Sequence, residues 1–302
     1  RTRPPVMRGA RPERDVEATI ERGGMLHRGE HVLVACSGGP DSVALAAALH
    51  SAAPRVGIDV SLAHVNHGVR SSAQQDECIV LQLAAQFGVP LSIITLQSRT
   101  DDEARLRLAR YRALAKAASA KSCSVIATAH HAEDQTETVF LALLRGSGLA
   151  GLSGMPARRS LEPGLDLVRP LLGVTPDTLR AYCHARALPY AVDPTNSDAG
   201  RRRNAVREAL ANLRPLFPAL DRAVSRAAEV IAEEERGSSR ARLRRSVREH
   251  FAADDDLRDL DFAHVEAAVR ALESGRSGTY FMKPGLGLRV EGGSIAGIIS
   301  TE

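Results

Sequence analysis

From residue 31 to residue 144, short β-rich apolar runs alternate with longer alanine- and leucine-rich stretches of helical character. Residues 32–35, 60–65, 91–96 and 125–129 read as strands, and 42–49, 73–87 and 102–118 as helices. The second helix is closed by Gly88 and Pro90, and the third is opened by acidic residues. This rhythm predicts βαβ crossovers with short connections. The expected fold is α/β, a doubly wound parallel sheet with helices on both faces, four of whose expected five strands are these runs.

A glycine-rich stretch at 146–154 and the loop through Pro163 interrupt the alternation, and Thr175-Pro176-Asp177 then opens another helix with a capping residue and proline at its first turn. Pro215 and Pro218 mark a break. Beyond it, 219–248 reads as one long charged helix, and 251–299 as a small α+β unit with a helix at 264–272 and a hairpin. The expected division is a leader at 1–24, flexible or helical, a main domain at 25–215, and a linker helix with a small domain at 216–302.

An apolar fraction of 44% is that of a globular chain. There is no run of 18 apolar residues and no apolar segment near the start, which predicts a cytoplasmic protein. Cys36, Cys78, Cys123 and Cys183 are scattered, without a C-x-x-C pair, and read as small buried hydrophobes. The net charge is +4 and only Lys116, Lys121 and Lys283 are lysines, so the basic residues are almost all arginines. Arginine suits phosphate; codon usage is the bland alternative.

Ser37-Gly38-Gly39-Pro40-Asp41-Ser42 lies between a predicted strand and a predicted helix, where backbone N–H groups and the helix dipole converge on an anion. It lacks the Gly-Lys-Ser/Thr ending of a Walker loop and the G-x-G-x-x-G of a dinucleotide site. It resembles the pyrophosphate loop, S-G-G-x-D-S, of the ATP-pyrophosphatase superfamily. The resemblance implies that Ser37, Gly38, Gly39, Pro40 and Ser42 cradle the pyrophosphate of ATP, and that Asp41 acts catalytically by helping to hold Mg2+. The alternative is a glycine-rich turn with helix caps.

His64-Val65-Asn66-His67-Gly68-Val69-Arg70 follows the second strand, at the edge where such sheets bind ligands. His64, Asn66 and His67 read as a polar loop beside the nucleotide; a surface loop or a histidine metal pair are the alternatives. After the fourth strand comes Ala-His-His-Ala-Glu-Asp-Gln-Thr-Glu-Thr, residues 129–138. Asp134 and Glu137, three apart in a first helical turn, share a face and can hold a cation. Helix capping is the alternative.

These strings, with Arg-Gly-Ser-Gly-Leu at 145–149, Arg-Pro-Leu-Leu at 169–172, Asp-Pro-Thr-Asn at 193–196 and Arg-Asn-Ala-Val-Arg at 203–207, resemble the tRNA(Ile)-lysidine synthetase family. The match runs from 31 to 290 and is loose after 216. It implies adenylation by ATP of C2 of the wobble cytidine in a CAU-anticodon isoleucine tRNA, followed by attack of the ε-amine of free lysine. Asp134 and Glu137 would hold the lysine, and Arg107 and Arg110 would sit at the reacting phosphate. Losing the ε-ammonium proton at pH 7 costs roughly 4–5 kcal/mol, which is why carboxylates are wanted.

Arg145, Arg201, Arg203 and Arg207, with Arg158 and Arg159 nearby, are candidates for tRNA phosphates, and residues 236–248 for a second patch, unless that patch is a salt-bridged face. The chain is too short for the further C-terminal domain of longer members, so the resemblance is to the compact type. A tRNA cytidine thiolase and an ATP-binding, non-catalytic regulator are the rival readings, the first disfavoured by the lack of paired cysteines. Oligomeric state is open, a homodimer being one option.

Overall fold

In the computed structural model, β1 (His31–Ala35), β2 (Asp59–Asn66), β3 (Leu91–Thr95), β4 (Val125–Ala127) and β6 (Leu165–Val168) run parallel in the order β3-β2-β1-β4-β6. Strand β5 (Arg158–Glu162) adds an antiparallel edge on β6. The structure describes residues 12–22, 24–66, 73–96, 103–191, 201–251, 262–283 and 286–300. The five parallel strands match the expected sheet. The antiparallel edge was not expected, because Arg-Arg-Ser-Leu-Glu is too polar to carry an apolar strand signature.

Alternation along β1 explains the two layers. Val32 and Val34 point into a core shared with α1 (Pro12–Arg22), α2 (Pro40–Val56), α3 (Ala73–Phe87) and α7 (Pro176–Ala185), represented by Val16, Leu45, Leu83 and Leu179. Leu33 points to the other face, against Tyr111, Leu114 and Ala118 of α4 (Glu103–Ala120). Helix α2 is buried from Ser42 to Leu49, and its alanines allow close packing on the sheet. It extends past the expected end to Val56, where Gly57 at φ 78° closes it with a backbone N–H to the Ala53 carbonyl.

Of the segment expected to form a flexible or helical leader, residues 12–22 are helical and belong to this core. Val16 and Ile20 are buried, while Glu17 and Glu21 pair with Arg55, and Glu17 also with Arg186. Cys36, Cys123 and Cys183 are buried as expected, but Cys78 is exposed on α3. Among the described residues no helix is long and apolar enough to cross a membrane.

Helices α5 (Ala132–Leu144), α6 (Leu149–Leu152) and α8 (Arg201–Leu213) complete the first of two units, Arg1–Ala228; the second is Glu229–Glu302. The division falls inside α9 (Leu220–Glu235), beyond the expected boundary near Leu216. The single long helix expected at 219–248 is two helices, α9 and α10 (Ser239–Phe251), because Gly237 at φ 60° ends the first. The second unit packs α10 and α11 (Phe262–Ser274) on an antiparallel sheet of β7 (Gly278–Lys283), β8 (Leu286–Glu291) and β9 (Ser294–Ser300).

Arg240 and Arg244 of the expected basic patch point inward. Arg244 is buried and pairs with Glu233 and Glu266, and Arg240 pairs with Glu266 at 2.6 Å and Glu273 at 3.0 Å. These two arginines therefore form a salt-bridged face. Burial pushes the Glu266 carboxyl up, but the hydrogen bonds from Arg240 and Arg244 outweigh it and hold its pKa below the ordinary value. Its contribution to stability is therefore complete above the ordinary carboxylate range and is lost as pH falls through the lowered pKa. Glu266→Gln leaves Arg244 buried with one partner fewer, a loss on the order of 3–5 kcal/mol for a buried pair. Hydrogen exchange in α10 and α11 should speed up in the variant; unchanged protection would contradict this role.

Candidate active site

The order β3-β2-β1-β4-β6 reverses at β1 and β4, and the carboxyl ends of these two neighbours open a crevice of the kind in which α/β sheets bind ligands. The 37–42 loop leaves β1 and the His130-His131 pair leaves β4, so both fall at this crevice. Within the loop, the Ser37 N–H donates to Ser42 Oγ at 3.1 Å, and the Ser42 hydroxyl donates to the Gly39 carbonyl at 2.9 Å. The Ser37 and Ser42 hydroxyls are 3.1 Å apart. Gly39 is the N-cap of α2 with no side chain to satisfy the first N–H groups, and Pro40 occupies the first turn.

Gly38 is required here. Its φ is +91°, and a Cβ would lie 3.0 Å from the Asp76 carbonyl of α3. Its own carbonyl accepts the Ala191 N–H at 2.9 Å, which ties the loop to the chain after α7. Below it, buried His64 donates from Nδ1 to the Cys36 carbonyl at 3.0 Å. His64 therefore supports the loop from beneath rather than facing the crevice. Asn66 ends β2, and His67, Arg70 and the 193–196 string lie outside the described residues.

His131 joins the two halves. Its Nε2 is 3.7 Å from Asp41 Oδ2 and 3.5 Å from Asp134 Oδ2, and its backbone N–H donates to Asp134 at 3.1 Å. Burial raises the Asp41 pKa, with His131 opposing, and Asp41 Oδ1 has no hydrogen-bond partner among the described residues. Asp134 behaves oppositely: burial pushes it up, but His131, His130 and Arg203 together hold it below the ordinary value. His130 accepts or donates at 2.9 Å with the Thr128 hydroxyl, and burial pushes its pKa down to about 3, with Asp134 opposing and Arg169 assisting.

Asp134 and Glu137 do share the expected face, and α8 brings arginines to both. Arg203 donates to Glu137 at 2.6 Å and to Asp134 at 3.2 Å, and Arg207 donates to Glu137 at 2.7 and 3.2 Å. Glu137 is 2% exposed, so its charge depends on these partners. Arg203 and Arg207 thus turn toward the carboxylates, while Arg145, after α5, is exposed. Arg201 opens α8. Arg158 pairs with Glu30 and Asp166 and donates to the Met25 carbonyl, which makes it a tie within the fold.

Arg107 and Arg110 lie over the ring of Tyr111, 5.5 and 5.9 Å from its centroid. His130, His131, Gln135 and Arg169 lie in the strings at 129–138 and 169–172, but those strings assign none of them a role of its own. Gln135 clamps Met155 through both amide atoms, at 3.1 and 2.8 Å, and a Cβ on Gly154 would strike it at 2.8 Å. The histidines' position immediately after a strand end was the available signal.

Residues 12–214 match the family described as the PP-loop domain. A tRNA(Ile)-lysidine synthase from Symbiobacterium thermophilum is 39% identical over 73% of this chain and 48% of its own length. One from Salinispora tropica is 42% identical over 67% of this chain and 62% of its own. One from Synechococcus sp. is 36% identical over 72% of this chain and 69% of its own. The chain belongs to the tRNA(Ile)-lysidine synthase family. As a member of this family it spans about half to two thirds of the length of these relatives. A U34-tRNA thiolase from Methanococcus maripaludis with its [4Fe-4S] cluster shares the fold, with a TM-score of 0.61 and 19% identity over 72% of this chain and 76% of the other.

For this member of the lysidine synthase family, Gly38→Ala should cost on the order of 1–3 kcal/mol of stability in thermal or urea unfolding. Gly39→Ala, whose Cβ would meet nothing nearer than Ser37 Oγ at 3.7 Å, should cost much less, and equal losses would contradict the assigned backbone strain. His130 should remain neutral down to about pH 4 by imidazole NMR. Because its folded pKa is lowered, stability from this group falls as pH drops below the ordinary 6.5. A titration centred between pH 6 and 7 would contradict the burial assigned to it.

Proposed function

We propose that this chain ligates lysine to C2 of the wobble cytidine of a CAU-anticodon isoleucine tRNA. ATP first adenylates the C2 oxygen and pyrophosphate leaves; the ε-amine of lysine then displaces AMP. One observation carries the reading: Asp41 of the pyrophosphate loop and Asp134 of the carboxylate pair flank the same imidazole, at 3.7 and 3.5 Å. A group activated at the loop and an ammonium held by the carboxylates would then be neighbours, as a two-step transfer requires. The relatives' name, tRNA(Ile)-lysidine synthase, supports an isoleucine tRNA as the substrate.

Ser37, Gly38, Gly39, Pro40 and Ser42 are the proposed pyrophosphate cradle, at the N-terminus of α2. Asp41 is the proposed residue for Mg2+, and its buried, unpartnered Oδ1 and raised pKa fit a cation that would stabilise the ionised form. When bound, the ion would neutralise phosphate charge. Arg107 and Arg110 are proposed to face the reacting phosphate, with Asn66 and His67 beside the nucleotide and His64 supporting the loop.

Asp134, held ionised by its neighbours, is suited to binding the ε-ammonium as an ion pair. Glu137 acts with it, and Arg203 and Arg207 keep both carboxylates in place. Arg145 and Arg201 keep a proposed role toward tRNA phosphates, and a cytoplasmic location follows from such a substrate.

The test is incorporation of labelled lysine, with pyrophosphate release, into an isoleucine transcript with a CAU anticodon, with the methionine tRNA as control. Incorporation confined to the isoleucine transcript is expected. Pyrophosphate release without any tRNA would point instead to a small-molecule synthetase. Glu137→Gln should raise KM for lysine about tenfold or more while changing KM for ATP little; equal losses would remove Glu137 from lysine binding.

A further inference from the structure

Arginines gather around one phenol ring, that of Tyr111, close enough to His130 to act on its charge. Besides Arg107 and Arg110, Arg159 of the edge strand β5 lies 5.9 Å from the Tyr111 centroid. Arg169, immediately after β6, is 3% exposed and donates from Nη1 to the Pro156 carbonyl at 2.7 Å. The buried Tyr111 hydroxyl lies beside the Arg169 guanidinium, whose Nε is buried without an acceptor among the described residues. Nor does a carboxylate among them pair with Arg159 or Arg169. Burial lowers the Arg169 pKa; Tyr111 opposes this, and Arg159 and Arg107 add to it.

Clustered like charges with unused buried donors are stabilised by an anion. Guanidinium groups carried on an aromatic face suit phosphate oxygens in particular. Helix α4 and strand β5, which carry Arg107, Arg110, Tyr111 and Arg159, also line an open depression of about 500 Å³ bordered by Arg112, Lys116, Ser119 and Glu162. With Arg112 and Lys116 on the same helix as Arg107 and Arg110, positive charge extends along α4 beyond the ring, as suits a polyanion.

We propose that Arg159, which lies over Tyr111 with Arg107 and Arg110, and the buried Arg169 beside that ring form a second phosphate site that holds a backbone phosphodiester of the RNA substrate. This rests on the reading above that the substrate is RNA. Arg159, which is exposed, is the contact residue, and the buried Arg169 adds positive charge beneath it and positions Tyr111. The site sets where the strand lies relative to the loop and carries no base readout.

The test is binding of the isoleucine transcript by the full chain across a series of KCl concentrations, with ATP affinity measured in parallel. Arg159→Gln should weaken transcript binding about tenfold at low salt and reduce the slope of log affinity against log salt by about one. ATP affinity should be unchanged, and Arg159→Lys should restore most of the slope. Tyr111→Phe, which keeps the ring, should lose less than Arg159→Gln.

An unchanged slope would overturn the site, as would a loss confined to ATP affinity, which would make it a nucleotide site. Failure of the wild-type chain to bind the transcript would overturn it as well. Wild-type binding with the expected slope change but no lysine incorporation would sink the ligase reading and leave the phosphate site standing.

Discussion

The pairing of β1 with β4 is the constraint from which the candidate site follows. Val32, Leu33 and Val34 align with Val125, Ile126 and Ala127, so the chain leaves both strands at the same level. Without that register the 37–42 loop and the His130-His131 pair would not meet, and Asp41 and Asp134 would not flank one imidazole. The register itself rests on burial. All six of these side chains are 0% exposed, and a one-residue slip would send each to the opposite layer of the core.

Electrostatics then divides the crevice. Asp41 is left underpartnered, with a raised pKa, whereas Asp134 and Glu137 are gripped by α8 and Asp134 is kept ionised. His130 is neutral through burial, so it adds no charge of its own where Asp134 and the arginines around Tyr111 both act on it. Asp41, Asp134 and Glu137 thus have different environments, which the proposed sharing of one cleft by phosphate chemistry and ammonium binding requires.

Much of this was legible in the chain. Strands β1 to β4 and helices α3 and α4 follow from hydrophobic runs and their punctuation, and the loop from its strand–turn–helix setting. What was not legible depends on contacts between distant residues. Arg203 and Arg207 read as surface cations until α8 is seen against α5, where Glu137 needs them. Strand β5 has no apolar signature because it is an edge, stabilised by pairing with β6 and by the ties of Arg158. Helix α9 ends at Gly237 because a single glycine at positive φ outweighs the helix-favouring residues around it. His64 sits at the ligand edge in sequence but points beneath the loop, since a strand's pleat assigns faces that a motif string does not reveal.

The most direct measurement omits lysine: the chain is incubated with the isoleucine transcript and ATP labelled at the α-phosphate, and the RNA is analysed for attached label. Label should accumulate on the transcript, be released as AMP when lysine is added, and be absent with an Asp41→Ala variant. Pyrophosphate release with no label ever reaching the RNA, or label that lysine does not displace, would contradict the joining of activation and transfer in one crevice.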